Sequence, residues 1–170
     1  VNYVLNKRGF TNYFIVPEQL EPNGEFPTVS YPNPEDLKAF ELALKYAKER
    51  NADLILATDP DADRNAVMVR HNGEYVPLNG NQTGALLVEY ILSQRKAKGL
   101  LPKNGIIIKS IVTGNLGKMI AKQYGVETFE TLTGFKNICG LENELEDRYS
   151  FQFGYEESIG YVTGNFVRDK

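Results

Sequence analysis

Three aspartates at alternate positions, Asp59, Asp61 and Asp63, stand in the string Thr58-Asp59-Pro60-Asp61-Ala62-Asp63-Arg64, directly behind the apolar run Leu54-Ile55-Leu56-Ala57. Alternate residues of an extended segment project to one side, so the three carboxylates are expected to converge. Held together they repel, and a cation relieves that repulsion. Hard divalent ions take oxygen ligands, and Mg²⁺ combines a few carboxylates with water and a substrate phosphate. Asp59, Asp61 and Asp63 are therefore candidate metal ligands. Pro60 restricts the backbone and removes a donor, which stiffens the loop. The end of a sheet strand is also where α/β folds tend to place ligands. Arg64, beside the acids, offers a planar fork suited to a phosphate, or an internal counter-charge to the carboxylates.

Other readings of this loop compete. A solvated acidic turn needs no ion. A calcium loop of the EF-hand type needs Gly at its sixth position and Glu at its twelfth; counted from Asp59, those positions hold Arg64 and Arg70. An aspartyl-phosphate nucleophile of the haloacid-dehalogenase kind also follows an apolar strand with D-x-D. There Thr or Val is usual four residues after the first Asp, and here that residue is Asp63.

These residues need a scaffold, and the chain reads as short apolar strands alternating with amphipathic helices, the pattern of α/β sheets covered by helices. Residues 2–8 suit a helix end stopped by Gly9, and Tyr13-Phe14-Ile15-Val16 a strand. Residues 17–32, with four prolines, read as a loop. Asn33 and Pro34 suit the cap and first position of a helix, whose buried face would carry Leu37, Phe40, Leu44 and Ala47. Residues 54–57, continuously apolar, suit a strand buried on both faces. Residues 66–70 and 75–76 form a hairpin whose Asn72-Gly73 pair favours a type I′ turn. A second unit then repeats the alternation: helix 82–98, strand 106–108, helix 116–124, strand 126–129, helix 135–147 and strand 151–153. The fold class is thus α/β, two consecutive small mixed β-sheet units flanked by helices, over residues 1–77 and 78–170. His71 reads as a solvated turn residue and Cys139 as a small core residue.

The 170 residues are 42% hydrophobic, enough for one sizeable core or two small ones. A net charge of −3 supplies no basic face for a nucleic acid. No apolar run reaches the length of a membrane span, and the single cysteine makes no internal disulfide, so a cytoplasmic location is expected. Val1-Asn2-Tyr3 and Val167-Arg168-Asp169-Lys170 both read as cut edges.

Asp59 to Arg64 resembles the magnesium loop of the α-D-phosphohexomutases, the family of phosphoglucomutase and phosphomannomutase. Five more segments fall in that family's order. Phe26-Pro27-Thr28-Val29 with Pro32-Asn33-Pro34-Glu35 resembles the approach to the metal domain, and Gly80-Asn81-Gln82 the opening of the third domain. Thr133-Gly134-Phe135-Lys136 is similar to the segment before the sugar site. Gly154-Tyr155-Glu156-Glu157-Ser158-Ile159-Gly160 resembles the sugar-recognition loop, and Val167 to Lys170 the basic segment after it.

The resemblance implies domains two and three of a four-domain enzyme, because the serine loop of the first domain and the phosphate loop of the fourth have no counterpart here. The strand that normally opens the second domain would precede Val1. The implied reaction moves a phosphoryl group between the C1 and C6 oxygens of a hexose through a bisphosphate. Mg²⁺ would sit on Asp59, Asp61 and Asp63, with Arg64 at the phosphate. Glu156 and Ser158 would bind sugar hydroxyls, and Thr133, Gly134, Lys136 and Lys170 would line the substrate cleft. Glu157 reads instead as a solvated or structural acid. The implied partners are hexose phosphate, hexose bisphosphate and the missing first and fourth domains, with no nucleic acid and no membrane. Tyr155 to Tyr161 looks closest to the branch of bacterial phosphoglucomutases and phosphopentomutase-like enzymes. Phosphomannomutase or phosphopentomutase activity, or a module that only binds metal or sugar phosphate, remain the alternatives. Thr113-Gly114-Asn115 departs from the Ser/Thr-rich turn expected there and is assigned no role.

Overall fold

A computed structural model describes residues 1–166, and the chain divides into two compact units, Val1–Pro77 and Leu78–Lys170. The architecture is α/β, with one small sheet in each unit flanked by helices.

The first unit opens with α1 (Asn2–Lys7), which ends before Gly9 at φ 76°, the left-handed position that glycine adopts without penalty. Tyr13–Val16, expected as a strand, has no regular secondary structure and pairs with no described strand. Side chains hold it instead. The Tyr13 hydroxyl lies 2.6 Å from Asn2 Oδ1, Phe14 packs on the Tyr46 ring, and the Arg50 guanidinium lies 3.7 Å from the Phe14 centroid.

The following helix also starts later than its cap signal implied. Asn33 Oδ1 accepts from Glu35 N at 3.0 Å and closes a local turn. Asp36 Oδ1 then accepts from Lys38 N, capping a 3₁₀ turn (Leu37–Phe40) that leads into α2 (Glu41–Arg50). The tighter turn shifts the helical phase: Phe40 and Ala47 are buried, but Leu37 is exposed.

The sheet runs β1 (Leu54–Thr58), β2 (Asn65–His71), β3 (Glu74–Leu78) in that order. β1 and β2 pair antiparallel from Leu54↔Val69 to Thr58↔Asn65. Asn72 and Gly73 join β2 to β3, both with positive φ as a type I′ turn requires. β1 is an edge strand covered on one face only. Ile55 is buried whereas Leu54 and Leu56 are exposed, so the expectation of burial on both faces is corrected.

The second unit is a three-layer sandwich. α3 (Gly80–Ala97) begins with a reciprocal capping box between Asn79 and Gln82. β4 (Gly105–Ser110) is buried along its whole length and lies between β5 (Glu127–Thr131) and β6 (Ser150–Tyr155), parallel to both. Its side chains alternate between two cores. Ile107 packs with Val88, Leu92 and Ala121 of α3 and α4 (Leu116–Gln123), whereas Ile106 and Ile108 pack with Ile138 and Leu145 of α5 (Phe135–Leu145). This is the strand buried on both faces that a central parallel position demands. Cys139 is buried in α5, as its sequence position implied. A two-residue strand, β7 (Tyr161–Val162), pairs antiparallel with the end of β6 and makes the sheet mixed. It is too short to carry a periodic signal.

Tyr155, on β6, fills the crevice between α3 and α4. A Cβ at Gly117 would overlap its hydroxyl. That hydroxyl is buried without a hydrogen-bond partner, and burial pushes its pKa up to about 12. No helix among the described residues is long and apolar enough to cross a membrane.

Candidate metal loop and sugar-recognition loop

The acidic loop, residues 59–64, is the connection of the β1–β2 hairpin, its ends pinned by the Thr58↔Asn65 pair. It is a turn rather than an extended run: Ala62 N donates to Asp59 O at 3.1 Å, and Ala62 takes a left-handed φ of 60°. The carboxylates therefore converge through this turn, not through strand alternation. One oxygen from each of Asp59, Asp61 and Asp63 lies within 4.8 Å of the others.

Oxygens around a cation bound at about 2.0–2.1 Å lie roughly 3–4 Å apart, so a small contraction suffices to seat one. The all-oxygen donor set is that of a hard divalent ion. Burial raises the Asp59 pKa, and so do its neighbours Asp63 and Asp61, against the lowering effect of the Arg64 N–H at 3.2 Å. A divalent cation would offset this repulsion. The residues fit a metal.

Arg64 is drawn to carboxylates in this structure. Its Nε lies 3.8 Å from Asp59 Oδ2 and its Nη1 3.5 Å from Glu35 Oε2. The side chain remains 39% exposed, so its fork is still open to an incoming phosphate. Asn65, next along, has Oδ1 buried without a hydrogen-bond partner. Sequence reasoning gave it no role, since nothing in its type or spacing marks it. His71 is exposed, as expected of a turn residue.

In the second unit, residues 156–160 are again a hairpin connection, between Tyr155 and Tyr161 of β6 and β7. Glu156 N donates to Gly160 O at 3.1 Å, and Ile159 is held at φ 58° while 3% exposed. A β-branched residue in the left-handed region costs on the order of 1–3 kcal/mol and persists only where its surroundings over-determine it.

Glu156 is 5% exposed, more enclosed than a free loop carboxylate. Its Oε1 accepts from Gly134 N at 2.5 Å, and its Oε2 lies 3.5 Å from Ser158 Oγ. Gly134, at φ 117°, sits at the start of α5. The structure thus brings Glu156, Ser158 and Gly134 together. Thr133 and Lys136 are exposed beside them, and Lys170 lies outside the described residues.

Sequence reasoning missed the polar group behind this loop. Glu157 Oε2 accepts from Ser110 Oγ and Thr113 Oγ1, both at 2.9 Å, and Glu157 N donates to Thr113 Oγ1 at 3.0 Å. Burial pushes the Glu157 pKa up. The hydrogen bonds from Thr113, its own backbone N–H and Ser110, with the charge of Lys109, outweigh burial and hold it below the usual carboxylate range. Lys109 is 1% exposed. Its Nζ donates to Thr113 O at 2.7 Å and lies 3.3 Å from Glu130 Oε1. Asn81 Oδ1 accepts from Gly114 N at 2.7 Å, so the 113–115 turn is tied to the start of α3. The one signal for this group is a lysine and a serine continuing the isoleucine run of β4.

Residues 1–73 match the family described as Phosphoglucomutase/phosphomannomutase, alpha/beta/alpha domain II, and residues 79–170 match its alpha/beta/alpha domain III. A phosphoglucomutase of Staphylococcus haemolyticus (strain JCSC1435) is 43% identical over 98% of this chain. The chain spans 30% of that relative's length. Among solved structures, a phosphoglucomutase/phosphomannomutase family protein from Burkholderia thailandensis superposes with a TM-score of 0.65 at 21% identity, covering 85% of this chain and 28% of its own. An Aspergillus fumigatus N-acetylphosphoglucosamine mutase, in complex with GlcNAc-6P and magnesium, gives 0.51 at 18% identity, over 69% of this chain and 24% of its own. The two solved structures share the fold. With both domain families matched in order over nearly its whole length, the chain belongs to the phosphoglucomutase/phosphomannomutase family.

Proposed function

We propose that this chain supplies the metal-holding and sugar-recognising domains of a phosphoglucomutase-type enzyme, which interconverts hexose 1-phosphate and 6-phosphate through a bisphosphate. The observation that carries the reading is the convergence of three carboxylate oxygens within 4.8 Å in a turn-locked hairpin connection. Mg²⁺ is the proposed ion, by donor chemistry and by the magnesium named with the Aspergillus mutase. When bound, it neutralises charge on the transferring phosphoryl group.

The chain's own residues do the rest by positioning. Asp59, Asp61 and Asp63 hold the ion, and Arg64 exchanges its carboxylate partners for the phosphate. Glu156 accepts from, and Ser158 donates to, neighbouring sugar hydroxyls. A bisphosphate that reorients between half-reactions presents vicinal hydroxyls to the same pair both ways round, which suits a short polar loop. The phosphoryl carrier itself is assigned to a serine in a first domain of the full-length protein, and the second phosphate site to a fourth. Thr133, Gly134, Lys136 and Lys170 complete the cleft in this proposal.

The test uses the full-length protein with glucose and mannose phosphates. Asp61→Ala should abolish Mn²⁺ binding by calorimetry and depress turnover equally on both sugars. Glu156→Gln should keep metal affinity but lower kcat/KM by about ten- to a hundredfold, the worth of one charged hydrogen bond. Unaltered Mn²⁺ affinity in Asp61→Ala would overturn the metal assignment.

A further inference from the structure

We infer that Glu157 is a positioning residue for the sugar loop: anchored to the 110–113 turn, it holds Glu156 and Ser158 in the geometry that meets the sugar. The inference rests on the reading of Glu156 and Ser158 as sugar contacts. It goes beyond it by assigning a role to Glu157, Ser110 and Thr113, none of which touches the sugar in that reading.

Three observations carry it. First, the loop is under strain, since Ile159 sits at φ 58° with its side chain buried. Something must hold it there, and the two-residue β7 is too short to do so alone.

Second, Glu157 ties the loop to the end of β4, as Glu156 ties it to the start of α5 through Gly134 N. The Glu157 carboxylate accepts from Ser110 Oγ and Thr113 Oγ1, and its backbone N–H donates to Thr113 Oγ1, so side chain and main chain close on one threonine. That threonine is itself fixed: it is 3% exposed, its carbonyl accepts from the buried Lys109, and Asn81 holds the neighbouring Gly114 amide.

Third, the opposite side of the loop is closed by α3. A Cβ on Gly80 would overlap the Glu157 carbonyl oxygen and lie 2.8 Å from Ile159 N. The loop is clamped between a helix start and a strand end, and Glu157 is the polar half of that clamp. Glu156 and Ser158 flank it directly, so a shift of Glu157 carries both with it.

The experiment compares Glu157→Ala, Glu157→Gln, Thr113→Val and the Glu157→Ala/Thr113→Val pair in the full-length protein, with Glu156→Gln as reference. Glu157→Ala and Thr113→Val should each lower kcat/KM for sugar phosphate about tenfold while leaving Mn²⁺ affinity intact. The pair should lose no more than either alone, because both remove the same anchor. Glu157→Gln keeps the side-chain shape and an acceptor, and should recover most of the loss.

Loss of melting temperature in Glu157→Ala and Thr113→Val with kcat/KM retained, while Glu156→Gln loses activity, would overturn the positioning role and leave the sugar-loop reading standing. Retention of full kcat/KM by Glu156→Gln would overturn both. If Glu157→Ala does not fold, Thr113→Val and Glu157→Gln decide: an unchanged kcat/KM in Thr113→Val overturns the role, and a tenfold loss beside a near-normal Glu157→Gln supports it.

Discussion

At Glu157 two opposing effects meet: burial disfavours the carboxylate, and hydroxyl and backbone donors with the Lys109 charge favour it more strongly. Its folded pKa lies below the unfolded value of about 4.3, so the ionised form contributes stability above that pH. The contribution is lost as pH falls through the folded pKa. Melting temperature should therefore drop on acidification below about pH 4, and Glu157→Gln should show a shallower acid limb than wild type. Parallel limbs in thermal melts from pH 3 to pH 6 would contradict this account. Glu130 is also held low, first by Lys118 and then by Lys109, but it titrates in both proteins and cancels in the comparison.

The residues proposed for the two loops carry chemical identity of their own in sequence: three alternate aspartates, and a Glu and a Ser between glycines. Ser110, Thr113 and Lys109 were not legible in this way. Their role depends on a contact between residues more than 40 positions apart, and no local pattern encodes it.

Both candidate loops are hairpin connections, 59–64 between β1 and β2 and 156–160 between β6 and β7. Short antiparallel pairs fix the loop ends, while one left-handed residue in each, Ala62 or Ile159, turns the chain. The helices and the central strand β4 were readable because period and caps agree there: α3 and α4 each precede a glycine at positive φ, Gly99 and Gly125. Three elements were misjudged. Tyr13–Val16 has strand composition but no described partner strand. The Asn33 signal is diverted into a local turn. β1 has the apolar run of a central strand at an edge position.

Tyr155 fills the crevice between α3 and α4, where Gly84 and Gly117 leave room for its ring and hydroxyl. Gly117→Ala should cost about 1–3 kcal/mol, because the added methyl meets the buried hydroxyl in a filled crevice. Tyr155→Phe removes an unpartnered hydroxyl and should be neutral or stabilising. Combined with Gly117→Ala, it should return part of the lost stability. Urea midpoints of the three variants test this, and strictly additive losses would show that the hydroxyl is not what the methyl meets.

The whole chain spans 30% of the length of its phosphoglucomutase relative, and its proposed chemistry is divided accordingly. Ser158 follows two acids, and its Oγ lies 3.5 Å from Glu156 Oε2 while Glu156 Oε1 accepts from Gly134 N, an arrangement for binding hydroxyls rather than for carrying a phosphoryl group. The purified chain alone should therefore give no glucose 6-phosphate from glucose 1-phosphate in a coupled assay. Turnover that survives Asp61→Ala would point to a different chemistry. The two-unit organisation was legible because each unit carries its own alternation of strands and helices.

Whether the acidic hairpin holds a divalent cation can be tested on this chain without any other domain. The direct measurement is a calorimetric titration of Mn²⁺ into the wild-type chain and into Asp61→Ala. One weak site is expected in the wild type, weaker than in the full-length protein because a phosphate ligand is missing, and no site in the variant. Equal binding by both proteins, or none by the wild type at millimolar Mn²⁺, would contradict the metal assignment.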